Sequence, residues 1–117
     1  MKKYLFSGIA IAAVVGGIWW KAAQPVKPNQ LDSFAKCLAE KQVTMYGADW
    51  CPHCQKEKAE FGSAFQYVPY VECPADPKKC LDAGVDGYPT WILKDGRRFV
   101  GEQGIDKLAR ESGCVLP

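Results

Sequence analysis

Cysteines at positions 37, 51, 54, 73, 80 and 114 of a 117-residue chain constrain this sequence more than any other feature. Six thiols are too many for an ordinary reduced cytosolic domain of this length, and they suit either an oxidising compartment or a metal site. Spacing separates the two. Cys51 and Cys54 form a C-x-x-C pair, no second such pair is present, and His53 is the single histidine. That is a poor zinc ligand set, so a zinc-binding module stands as the non-enzymatic alternative. A c-type haem attachment needs histidine directly after the second cysteine, where Gln55 stands.

The chain opens Met1-Lys2-Lys3 and then runs for seventeen residues, Tyr4 to Trp20, without a formal charge. A secretory apolar region is usually ~7 to 15 residues and a spanning helix needs roughly 17 to 25, which places this segment on the anchor side. Trp19 and Trp20, followed by Lys21, suit the outer membrane–water interface. The expectation is an N-terminal membrane anchor over 1–21, with a cleaved signal as the alternative, and in either case an exported domain. Residues 22–30 carry two prolines and no apolar periodicity, and read as a short extended stalk. Lys2, Lys3, Lys21 and Lys27 lie ahead of residue 31 with no acid among them, which leaves eleven of the 15 basic residues against all 13 acidic ones, so the rest of the chain is close to neutral. Nothing in it argues for nucleic-acid binding.

Residues 31–117 then have room for one small domain whose thin core would benefit from cross-links. Leu31, Phe34, Ala35 and Leu38 recur at helical spacing and predict an amphipathic helix over 31–41, with Cys37 on its flank. Val43 to Gly47 reads as a strand, Pro52 to about Phe65 as a helix with proline in its first turn, and Tyr67 to Glu72 as a second strand. A strand, a helix and a strand at that spacing imply a parallel pair. Thr90 to Leu93 and Arg97 to Val100 flank the turn Lys94-Asp95-Gly96 and predict a hairpin. Ile105, Leu108 and Ala109 mark a last helix ending near Gly113, and a short helix is expected around Lys78 to Ala83. The fold class is α/β, with a mixed sheet flanked by helices.

The chemistry concentrates at Trp50-Cys51-Pro52-His53-Cys54, which follows a predicted strand and opens a predicted helix. At the helix N-terminus the Cys51 sulfur meets the positive end of the macrodipole and free N–H groups, which favour thiolate, the nucleophilic form. Cys54 returns one turn later, placed to resolve a mixed disulfide on Cys51. His53 offers positive charge or a hydrogen bond to the Cys51 thiolate, which stabilises the reduced form and makes the disulfide a stronger oxidant; its bland reading is a solvated spacer. Trp50 reads either as packing over the site or, with Tyr88, as a substrate-docking surface. Pro89, in Gly87-Tyr88-Pro89-Thr90-Trp91, precedes the hairpin and cannot donate a ladder hydrogen bond, so its backbone must be special.

WCPHC after a strand, with YPT before a hairpin, resembles the thioredoxin superfamily, in which a cis-proline loop lies beside the catalytic disulfide. The resemblance implies a compact thioredoxin fold with a central four-stranded mixed sheet, and a cis bond at Pro89. More narrowly, MYGADWCPHCQ, YVPYVEC and GYPTW resemble the thioredoxin-like domains fused to, or paired with, bacterial vitamin K epoxide reductase homologues. That group implies electron transfer from folding proteins to a membrane reductase and on to a quinone. This chain carries no multi-helix quinone-reducing domain, so such a partner must act in trans. It also departs from thioredoxin in having Met45 where that protein has a buried acid six residues before its nucleophile.

With Cys51 and Cys54 assigned to each other, the remaining cysteines allow three connectivities. Related domains of the reductase-linked group carry a pair similar to Cys73 and Cys80, and the favoured pairing is Cys73 with Cys80 and Cys37 with Cys114. These are structural staples on one reading, and on the other Cys73 and Cys80 relay electrons to or from Cys51. The expectation is therefore a membrane-anchored, extracytoplasmic thiol–disulfide oxidoreductase, acting on proteins with thiols or disulfides and needing no metal or cofactor. Oxidation of substrates is the favoured direction; a disulfide reductase or isomerase of the same fold is the alternative.

Overall fold

The apolar stripe of residues 31–38 forms helix α1 (Asp32–Glu40), which buries Phe34, Ala35 and Leu38. The computed structural model describes residues 29–117. The anchor expected at 1–21 lies outside the described residues, as does the stalk except for Asn29 and Gln30. Among the described residues no helix is long and apolar enough to cross a membrane. Asn29 fixes the entry to the domain: its Oδ1 accepts the Leu31 N–H and its Nδ2 donates to the Phe61 carbonyl at 2.8 Å.

Strand β1 (Thr44–Gly47) runs down the middle of the sheet and leads into helix α2 (Pro52–Phe61). A 3₁₀ turn (Gly62–Tyr67) brings the chain back to β2 (Tyr70–Glu72), parallel to β1 with Met45 opposite Tyr70 and Gly47 opposite Glu72. Parallel pairing demands such a crossover. A short α3 (Pro77–Asp82) follows, and then the hairpin of β3 (Thr90–Ile92) and β4 (Arg98–Val100). β3 runs antiparallel to β1, with Trp91 opposite Met45, and the strand order is β2-β1-β3-β4. The sheet is the four-stranded mixed one that alternating strands and helices and a closing hairpin predict. Arg98 on β4 clamps the end of α3, its guanidinium donating to the Ala83 and Gly84 carbonyls at 2.9 Å each.

Two boundaries differ from the sequence expectation by more than one residue. α2 stops at Phe61 rather than about Phe65 because Gly62 turns to φ +57°, a conformation that ends the helix and tightens the next six residues. β2 begins at Tyr70 rather than Tyr67, because the Val68 N–H is taken by the Phe65 carbonyl and Pro69 has none. The ladder therefore starts with the Met45 N–H donating to the Pro69 carbonyl at 2.9 Å.

The core lies between the sheet and helices α1, α2 and α4 (Ile105–Ser112). Phe61 sits at its centre, 5.9 Å from the Phe34 ring and 6.1 Å from Trp91. Burying each such ring stabilises the fold by ~1.5 to 3 kcal/mol. α4 ends at Gly113, whose φ of +75° supplies the left-handed cap. The next residue, Cys114, is joined by a disulfide to Cys37 on α1 across 77 residues of chain, and Cys73 is joined to Cys80 across seven.

Candidate active site

Cys51 is the N-cap of α2 and Pro52 its first helical residue, so the chain reverses from extended to helical at the sulfur itself. Cys51 Sγ accepts the Cys54 N–H at 3.3 Å, one of the orphan donors of the helix N-terminus. The same sulfur lies 3.8 Å from the Tyr88 carbonyl oxygen. Tyr88 precedes Pro89, and the bond between them is cis. The loop is pinned at both ends: Thr90 Oγ1 donates to the Gly87 carbonyl at 2.7 Å, and the Gly101 N–H donates to the Pro89 carbonyl at 2.7 Å. The loop ahead of β3 thus meets the first turn of α2 at Cys51.

Cys51 and Cys54 are free thiols, while the other four cysteines are engaged in disulfides and offer no thiolate to zinc. Cys51 keeps 5 % of its surface exposed and Cys54 none. Burial, followed by the hydrogen bond with Cys51, pushes the Cys54 thiol from its ordinary 9.0 up to about 12. Of the pair, Cys51 is placed to meet a partner and Cys54 stays a thiol behind it. In the reduced protein, alkylation at mildly alkaline pH should label Cys51 and leave Cys54 unmodified, as read by peptide mass spectrometry. Equal labelling of both would contradict this ordering. Because the fold favours the protonated Cys54, the reduced domain is also expected to lose stability as pH rises from 9.0 toward about 12, a loss the oxidised form has no thiol to suffer.

His53 does not turn to the Cys51 sulfur for its hydrogen bond. Its Nδ1 lies 2.5 Å from Glu102 Oε1, and Lys56 Nζ lies 3.7 Å from the other carboxylate oxygen. Glu102 is held below the usual carboxylate range, first by the hydrogen bond to His53 and then by the charge of Lys56. The imidazole therefore faces a carboxylate contributed from beyond β4. Trp50 is 68 % exposed and meets Tyr88 edge-on at 6.1 Å, so the two rings form an apolar rim beside Cys51. Tyr88 also packs against the small cluster of Val71, Cys73 and Cys80, which brings the Cys73–Cys80 disulfide to the flank of the same loop.

Glu57 and Glu102 shape this region and were not singled out from the sequence. Glu57 is 1 % exposed and accepts from Trp91 Nε1 at 3.3 Å, the Gln103 N–H at 2.8 Å and the Gly104 N–H at 2.9 Å. It ties α2 to the segment entering α4. The available signal was periodic: Cys54, Glu57 and Phe61 fall on one stripe of α2, so Glu57 shares the inward face.

Comparison with known proteins places these features in a family context. The thioredoxin family model matches residues 25–111. Thiol-disulfide oxidoreductase LTO1 of Arabidopsis thaliana is 39% identical over 93 residues, covering 72% of this chain and 24% of its own length. The thioredoxin domain-containing protein 5 homolog of Drosophila melanogaster is 35% identical over 107 residues, covering 74% of this chain and 26% of its own. The chain thus spans about a quarter of the length of these curated relatives. A solved structure of a malarial protein superposes with a TM-score of 0.50 at 19% identity, over 58% of this chain and 88% of that one, a likeness of fold alone.

Proposed function

This chain belongs to the thioredoxin family, and from that premise we propose that it is a thiol–disulfide oxidoreductase that oxidises the thiols of exported proteins at Cys51 and Cys54 and passes the electrons to a quinone-linked membrane reductase acting in trans. The observation that carries this reading is the contrast among the six cysteines. Four are closed into two disulfides, and the two left as thiols are those at the start of α2 beside Pro89. Closed disulfides suit a compartment outside the cytoplasm. The apolar run Tyr4–Trp20 suits an anchor over 1–21 and a stalk over 22–30, holding the domain of 31–117 near the membrane where such a reductase would meet it.

The geometry supports an exchange of the following kind. A substrate thiolate attacks Cys51 Sγ of the oxidised pair, the S–S bond breaks toward Cys54, and a mixed disulfide forms on Cys51. A second substrate thiolate then attacks the substrate sulfur of that bond, leaving substrate oxidised and the pair reduced. Trp50 and Tyr88 offer an apolar surface to the incoming chain beside the reacting sulfur. His53 and Pro89 act at Cys51, the first through charge and the second through the loop that sets the Tyr88 carbonyl against the sulfur.

A second reading, a disulfide reductase or isomerase, is favoured by one contact. Glu102 sets a negative charge against His53, which offsets the positive charge that would make the disulfide strongly oxidising. The equilibrium reduction potential of the pair in a glutathione buffer distinguishes the two. The oxidase reading expects a value near ~−120 to −180 mV, and a value near ~−270 mV would overturn it in favour of the reductase.

A further inference from the structure

The resolving step needs Cys54 to lose a proton, yet Cys54 is wholly buried, in a core cluster to which β1 contributes Met45 and no acid. Glu57, three residues on, is not available either, because its carboxylate oxygens already accept from Trp91, Gln103 and Gly104. A different set of groups surrounds the sulfur. Gly47 of β1 has no side chain, and a Cβ there would stand 2.9 Å from Cys54 Sγ, 3.2 Å from Tyr70 Cε2 and 3.3 Å from Tyr70 Oη. The missing side chain leaves an open point of the sheet that the Cys54 sulfur and the Tyr70 hydroxyl both border.

From Tyr70 a polar track runs outward. The Tyr70 hydroxyl donates to Glu72 Oε2 at 3.0 Å, and Glu72 Oε1 accepts the Asp49 N–H at 3.0 Å. Lys58 Nζ lies 3.9 Å from the Tyr70 ring centroid and 3.5 Å from Asp49 Oδ1. Glu72 is itself partly exposed, so the track reaches water at its carboxylate, beside the 82 % exposed Asp49. The titratable groups are therefore Cys51 beside Cys54 on α2 and, along the track, Lys58 from α2, Tyr70 and Glu72 from β2, and Asp49 from the loop after β1.

We propose that Tyr70 and Glu72 are the proton exit of Cys54, with Lys58 and Asp49 holding them in place. The step balances as follows. With Cys51 Sγ bonded to a partner's sulfur, the Cys54 S–H proton passes to Tyr70 Oη while the Tyr70 O–H proton passes to Glu72 Oε2. The Cys54 sulfur forms its bond to Cys51, the Cys51–partner bond breaks, and its electron pair leaves on the partner's sulfur, which takes a proton from water. The pair is oxidised and the partner's disulfide is reduced; the reverse reaction returns the proton along the same track. Burial and Glu72 push the Tyr70 hydroxyl up, so it serves as a relay between two groups and not as a free tyrosinate. Neither Tyr70 nor Glu72 was singled out for a role in the sequence, since both lie inside a predicted strand.

The proposal rests on the exchange role of Cys51 and Cys54, and the test keeps the two apart. The reduced full-length chain, in mild detergent, is mixed with oxidised glutathione, and the Cys51–glutathione adduct is followed by acid quench and mass spectrometry across neutral pH. Tyr70→Phe and Glu72→Gln should form the adduct at the wild-type rate but resolve it more slowly, by on the order of tenfold to a hundredfold at mildly acidic pH. The deficit should close as hydroxide replaces the lost acceptor, and Glu72→Asp should restore most of the rate. Variants that resolve the adduct as the wild type does at every pH overturn the proton exit alone. So does an equal loss of both steps with an unchanged pH profile, which a packing role would give. A wild-type protein that never forms the adduct overturns the exchange role itself, and the proton exit with it.

Discussion

With serine at position 51, disulfide exchange falls to the uncatalysed background. A hydroxyl cannot form the S–S bond on which the reaction depends, so the loss is complete and not a matter of degree. No other cysteine substitutes: Cys54 is buried and held as a thiol, and the remaining four are closed into disulfides. Cys54→Ser should behave in the opposite way. Cys51 still attacks, the resolving sulfur is gone, and mixed disulfides accumulate as bands on a non-reducing gel that vanish with dithiothreitol. A Cys54→Ser protein that captures nothing in cells, beside a Cys51→Ser protein that still exchanges, would overturn the assignment of the two roles.

The largest effect on stability is expected from opening the Cys37–Cys114 bond. It closes 77 residues of chain, and cross-linking a loop of that length removes denatured-state entropy amounting to about 4 kcal/mol. The seven-residue ring of Cys73–Cys80 is expected to contribute about half as much by the same reasoning. For a domain of this size, ~4 kcal/mol corresponds to a fall in melting temperature on the order of 20 °C. Thermal unfolding of the double variant Cys37→Ser with Cys114→Ser, compared with Cys73→Ser with Cys80→Ser, provides the check. Equal falls, or a larger fall in the second pair, would show that loop length does not govern the stabilisation.

Much of the fold was legible because its signals are local. The stripe of Phe34, Ala35 and Leu38 announces α1 within one turn, Pro52 sits where a helix may start, and Gly113 sits where one stops. The ends of α2 and β2 were not, because Gly62 and Pro69 act through backbone conformation and a missing N–H, inside stretches whose composition suits the longer elements. Cys51, Cys54 and Pro89 stand out as motifs. The partners that govern them do not, because they arrive from distant parts of the chain. His53 meets Glu102 across 49 residues, and the Cys54 sulfur and Tyr70 border the same point at Gly47 only through the pairing of β1 with β2. An acid such as Glu57 or Glu72 looks like one more solvated charge until the sheet register and the packing of α2 on it are known.

The bond between Cys37 and Cys114 has a topological consequence beyond stability. Nearly the whole described domain, including Cys51, Cys54, the Pro89 loop and all four strands, lies within a single covalent circle. A protease that cuts any loop inside that circle opens the ring but releases no fragment, and the two halves stay joined at the sulfur bridge. Limited digestion should therefore yield species that run as one chain until reductant is added and then fall apart. A nicked domain of this kind keeps its elements in contact, which favours survival where proteases are abundant and replacement by new synthesis is slow.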